Sequence, residues 1–96
     1  MSAAGVTRYI VTFRYHEKGL SDILELNSAM VNGGFSTTLN DEEGKPHELG
    51  TNSFGLVSAL TQEEIKQQAE SLGEMVLAEK PHVDITTLED FLKQQS

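Results

Sequence analysis

The residues best equipped for chemistry cluster at one end of one predicted strand. Arg14, His16 and Lys18 occupy alternate positions, with Arg8 upstream on the same strand. Guanidinium and ammonium groups hold phosphate oxygens. Imidazole titrates near neutral pH, so it can take up and release a proton there. In phosphodiester cleavage His16 would carry the proton, while Arg14 and Lys18 hold the phosphate or the charge that develops on it. The plain alternative is a set of solvated side chains in a polar loop.

The other candidates are weaker. Asp41, Glu42 and Glu43, with His47 and Glu48, form an acidic segment of the kind magnesium accepts. Adjacent acids ahead of Gly44 and Pro46 are also ordinary turn chemistry. His47-Glu48 lacks the second histidine of a helical zinc motif. No metal site and no cofactor is expected. His82 follows Pro81 at a strand entry and reads as a surface residue. Gly33-Gly34 reads as a helix stop and not a phosphate loop, because no helix follows it. No Ser-His-Asp order or nucleophile elbow is present.

These residues need a frame, and hydrophobic periodicity supplies one. Thr7 to Tyr15 alternates as a strand, with Tyr9, Val11, Phe13 and Tyr15 on one face and Arg8, Ile10, Thr12 and Arg14 on the other. A polar loop, His16 to Gly19, leads into a helix over 20–32. Leu20, Ile23, Leu24 and Met30 or Val31 share its apolar face, Ser21 or Gly19 caps its start, and Gly33-Gly34 ends it. Phe35 to Asn40 reads as a second strand and Asp41 to Pro46 as a turn-rich loop. His47 to Leu49 returns briefly as strand, and Asn52 to Leu60 is a third strand. Thr61-Gln62-Glu63-Glu64 is a capping box opening a helix to about Ala78. Its stripe is Ile65, Ala69, Leu72 and Val76. Gly73 costs that helix about 1 kcal/mol relative to alanine. His82 to Thr86 is a fourth strand with Val83 and Ile85 inward. Thr87 caps a short last helix carrying Leu88, Phe91 and Leu92.

The order predicts a single α+β domain over 1–96. Its expected form is a ferredoxin-like βαββαβ fold: a four-stranded antiparallel sheet, two helices on one face and a short C-terminal helix. In that arrangement Tyr9, Val11, Phe13, Phe54, Leu56 and Leu60 point at the helices. The opposite face shows Arg8, Ile10, Thr12 and Arg14 beside Ser53, Gly55, Val57 and Ala59. It lacks the aromatics on which sheets of this topology stack RNA bases. Its small residues suit the close approach of a second sheet, so a homodimer through this open face is expected on one reading. The other reading is an ordinary solvated face.

Composition narrows the classes. Without cysteine the chain has neither disulfides nor cysteine-based zinc sites. Fifteen acids against seven Lys plus Arg give a net charge of -8, so any nucleic-acid contact must use a local basic patch. Met1 to Gly5 lacks the basic and apolar regions of a signal peptide. No apolar stretch is long enough to span a bilayer. A cytoplasmic protein without membrane contact is expected.

Several of these segments together resemble one family. Tyr9-Ile10-Val11-Thr12-Phe13-Arg14-Tyr15 is similar to the opening strand of the GhoS antitoxins, and the helix from Leu24 to Met30 matches in apolar spacing. Most specific is Asp41-Glu42-Glu43-Gly44-Lys45-Pro46, then Leu49, then Asn52-Ser53-Phe54. It looks like the family's D-E-x-G-x-P, L, N-S-F pattern without a gap. The similarity runs on to Glu64-Ile65, roughly the first two-thirds of the chain. The resemblance implies a ferredoxin-like, type V bacterial antitoxin that acts as an endoribonuclease on the messenger of a membrane-lytic toxin. Carried onto this chain, it implies a protein that binds a specific toxin mRNA, for which the basic cluster offers Arg8, Arg14 and Lys18 as the phosphate contacts. If it cleaves that RNA, His16 and Arg14 are the catalytic candidates. The alternative is a non-catalytic dimeric module of the same fold that binds a protein partner.

Overall fold

The computed structural model describes residues 6–16 and 19–95. The central strand, β1 (Thr7–Arg14), follows the predicted alternation and is flanked on both sides by antiparallel partners. After α1 (Leu20–Asn32) come two three-residue strands, β2 (Thr38–Asn40) and β3 (Pro46–Glu48), then β4 (Ser53–Ser58). The chain continues through α2 (Gln62–Leu77), β5 (His82–Thr87) and α3 (Leu88–Gln95). The main sheet has the order β4-β1-β5, with Tyr9 opposite both Leu56 and Thr87.

The helix-side core is the one that the alternation predicts. Tyr9, Val11, Phe13, Phe54 and Val83 pack with Leu26 and Met30 of α1 and Ile65, Ala69 and Leu77 of α2. Burying a large apolar side chain fully is worth about 1.5–3 kcal/mol, so this cluster dominates stability. The capping box is present: the Glu64 N–H donates to Thr61 Oγ1 at 3.2 Å, and the Thr61 N–H donates to the Glu64 carboxylate at 2.9 Å. On α1 the predicted face is rotated. Leu26 and Met30 are buried, whereas Leu20 and Leu24 are exposed, and Gly19 caps the start without a side-chain bond. Leu60 is also exposed; its carbonyl accepts the Tyr9 hydroxyl at 2.9 Å.

Among the described residues the expected four-stranded ferredoxin-like sheet is not formed: the main sheet has three strands. Where a fourth would run, Ser36 and Gly55 make a single bridge, exchanging hydrogen bonds of 2.8 and 2.7 Å. The reason lies in the side chains. Phe35 belongs to the helix-side core, but Leu39 belongs to a second cluster on the other side of the sheet. Positions 35 and 39 would share a face in a straight strand, so the segment must turn between them. Beyond the turn, β2 pairs with β3 as a separate hairpin, with Leu39 opposite His47.

That hairpin and α3 cover the face expected to be open. Ile10 is fully buried there among Leu39, Leu49 and Leu88, with Phe91 and Leu92 against them. Gly55 is buried because Leu39 lies on it; a Cβ at Gly55 would collide with the Leu39 side chain. Thr87 caps α3 by accepting the Asp90 N–H at 3.2 Å. The small residues of this face therefore receive the chain's own hairpin and helix, and the open surface proposed for self-pairing is absent around Ile10 and Gly55. Its margins, including Val57, Arg14 and His82, are exposed.

Candidate nucleic-acid interface

Antiparallel pairing fixes the exposed corner of the sheet. In the β1–β5 ladder Arg14 lies opposite His82 and Thr12 opposite Asp84. All four share the face that carries Ile10, since the period of a strand is two. Asp84 stands between the two basic side chains. Arg14 Nε donates to Asp84 Oδ2 at 2.9 Å, and His82 Nε2 lies 3.2 Å from Asp84 Oδ1. Beside them Thr12 Oγ1 and Ser53 Oγ share a hydrogen bond of 3.0 Å. The Arg14 and His82 side chains are 73% and 66% exposed. Ion pairs so exposed contribute about 0–1 kcal/mol to stability, so the arrangement orients groups more than it holds the fold.

The corner is closely packed underneath. Phe13, just before Arg14, meets Phe54 edge to face with centroids 5.9 Å apart. Gly73 lets α2 come close: a Cβ there would lie 2.7 Å from the Phe13 ring and 2.9 Å from Pro81, the residue before His82. The end of β1 is tied to Asn52, whose carbonyl accepts the Phe13 N–H at 2.8 Å and whose side chain accepts the Tyr15 hydroxyl at 3.0 Å. Asn52 adopts φ 66°, a left-handed conformation that asparagine tolerates better than most residues.

The candidate residues separate into two places. Arg14 is in the corner, and His16, exposed, follows it by two residues at the same end of the ladder. Lys18 lies outside the described residues. Arg8 is six residues back along β1, about 20 Å away at the rise of a strand. It lines a groove with Asp41, Glu42 and Glu43, where carboxylates outnumber it.

Two residues at this corner do not stand out in the sequence. His82 reads as plain surface, and Lys80 reads with Pro81 as the stop of the preceding helix. Lys80 precedes His82 by two residues at this same end of β5. The signal for His82 was the spacing of His82 and Asp84, alternate residues of one predicted strand and hence neighbours on one face.

The acidic segment is a turn. Asp41 Oδ1 accepts the N–H groups of Glu43 and Lys45 at 2.8 and 3.0 Å, and Asp41 Oδ2 lies 2.9 Å from His47 Nε2. The His47 hydrogen bond, followed by that from the Lys45 backbone, lowers the Asp41 pKa from 3.8 to about 2. Among the described residues no three His, Asp or Glu side chains are grouped to hold a metal ion. Nor is any helix among them long and apolar enough to cross a membrane.

Comparison with known proteins agrees with the sequence pattern and extends it to the C-terminal third. The chain is 40% identical over 91 residues to the uncharacterized protein YdiZ of Escherichia coli K12, covering 95% of each chain. The same identity and coverage hold for YdiZ of Escherichia coli O157:H7. The family model described as endoribonuclease GhoS matches residues 1–94. With nearly its whole length matched, this chain belongs to the GhoS endoribonuclease family.

Proposed function

We propose that this protein is an antitoxin-type endoribonuclease that binds and cuts a toxin messenger RNA in the cytoplasm, using the Arg14 corner as its phosphate site. Family membership supports the reaction class. The observation that carries the choice of site is the concentration of basic groups at one end of the β1–β5 ladder in a chain of net charge -8. Arg14 remains exposed while paired, so its outer guanidinium nitrogens can meet a phosphate. Lys18 adds a second cation, and His16 carries a proton to or from the scissile phosphodiester. Tyr9, Phe13 and Phe54 are buried, so they provide no stacking platform on the sheet, and binding rests on backbone phosphates.

Purified protein is incubated with in vitro transcripts encoding short membrane-active toxins, with and without EDTA. The reading predicts endonucleolytic cleavage in both conditions and its loss in the His16→Ala, Arg14→Ala double variant. Undiminished cleavage by that variant removes the site. Binding should weaken with rising salt, with a logarithmic slope of about -0.7 per phosphate neutralised on a single strand.

A further inference from the structure

We propose that His82 is a second catalytic histidine, the general base that activates the RNA 2′-hydroxyl, with Asp84 as its positioning residue. The proposal rests on the endoribonuclease reading above and deepens it. Internal cleavage of RNA by acid–base chemistry needs two proton movements. One proton leaves the 2′-hydroxyl as its oxygen attacks phosphorus. The other reaches the 5′-oxygen as the P–O5′ bond breaks. A single imidazole, His16, supplies one of these movements, and the structure places a second imidazole at the same end of the same ladder.

The geometry of that imidazole assigns its role. A carboxylate accepts hydrogen bonds and donates none, so the Nε2 facing Asp84 Oδ1 at 3.2 Å carries the hydrogen. In the neutral ring that leaves Nδ1 with a free lone pair, the form of a general base. This is the logic of an imidazole oriented by an aspartate in hydrolases. Asp84 is itself held from the other side by Arg14 Nε at 2.9 Å. The guanidinium thus fixes the carboxylate and presents its remaining N–H groups beside the imidazole. Among the described residues, the charged groups joined to His82 by ion pairs are Asp84 on its own strand and, through it, Arg14 on β1, with Lys80 two residues before it in the chain.

The step balances without a further reactant. His82 Nδ1 takes the 2′-hydroxyl proton, and the 2′-oxygen bonds to phosphorus. The P–O5′ bond breaks, and protonated His16 gives its proton to the departing 5′-oxygen. The products are a 2′,3′-cyclic phosphate and a 5′-hydroxyl. Arg14 stabilises the negative charge on the phosphorane oxygens.

The test uses the full chain and total bacterial messenger RNA, with the product ends mapped. Wild type should leave cyclic phosphate and 5′-hydroxyl ends. His82→Gln should lower kcat by about 10²–10⁴-fold with little change in KM, and should abolish one limb of a bell-shaped pH profile. His16→Gln should abolish the other limb. Independently of activity, nitrogen NMR of the wild type should show His82 as the Nε2–H tautomer, and Asp84→Ala should disperse it between the two tautomers. Absence of cleavage by wild type overturns the endoribonuclease reading and this proposal together. Wild-type cleavage that persists within about threefold in His82→Gln, or a predominant Nδ1–H tautomer, overturns this proposal alone.

Discussion

Replacing Gly73 by alanine sets two effects of known size against each other. Gly73 is buried in the middle of α2, and alanine there should improve the helix by about 0.8–1 kcal/mol. Against that, the new Cβ would stand 2.7 Å from the Phe13 ring and 2.9 Å from Pro81. Neither can turn aside freely: Phe13 is 3% exposed and packed edge-on against Phe54, and Pro81 is buried. Overpacking of this kind costs about 1–3 kcal/mol. The expected net effect is a loss of about 1 kcal/mol, or about 4–8 °C in Tm for a domain of this size. The local consequence is larger. Phe13 and Pro81 immediately precede Arg14 and His82, so displacing them misplaces the corner, and a shift of about 1 Å in a catalytic group can cost about 10²-fold in rate. Thermal and urea unfolding, followed by circular dichroism, give the stability term, and RNA cleavage gives the functional one. In a Phe13→Leu background the ring is gone and only the Pro81 contact remains, so the alanine should cost less than in the wild type, a coupling of about 0.5–3 kcal/mol in the double-mutant cycle. A rise in Tm for Gly73→Ala in the wild-type background would refute the close packing on which the positioning argument depends.

Two further perturbations address the other side of the sheet. The folded-state pKa of Asp41 is lowered from 3.8 to about 2, chiefly by His47, so its stabilising contribution is fully present above about pH 4 and disappears as pH falls through about 2. The stability difference between wild type and Asp41→Asn should therefore be flat above that window and shrink within it; an undiminished difference at pH 2 contradicts the assignment. Leu88 is 4% exposed and closes the cluster over Ile10, so Leu88→Ala should cost about 2–5 kcal/mol in urea unfolding. A loss below about 1 kcal/mol would mean that α3 does not cover the sheet.

The elements were largely legible because each announces itself locally. The alternation from Tyr9 to Arg14 sorted the faces of β1 correctly, and Thr61 with Glu64 marked the start of α2. The partners of each buried side were less legible. Periodicity says that Phe35 and Leu39 are apolar and of the same parity. It does not say that they face opposite sides of the sheet, so the sequence predicts a full fourth strand where, among the described residues, a single bridge joins Ser36 to Gly55. Gly55 likewise reads as a small residue on an open face, whereas it is small because Leu39 lies on it. Gly73 reads as a weak point in a helix until Phe13 and Pro81 are seen against it. At the candidate site, Arg14 and His16 were recognised because they adjoin in sequence. His82 arrives from the far end of the chain through the β1–β5 ladder, and only pairing register reveals that it stands beside Arg14.

Both the phosphate site and the two-histidine chemistry require RNA to engage this corner. The most direct measurement is an NMR titration of the full chain with a single-stranded 2′-O-methyl oligoribonucleotide, which offers phosphates but has no free 2′-hydroxyl to react. Shifts should concentrate at Arg14, His16, His82 and Asp84 and weaken as salt rises. Shifts confined to the Arg8 groove or to the outer face of α1, or no binding at low salt, would contradict it.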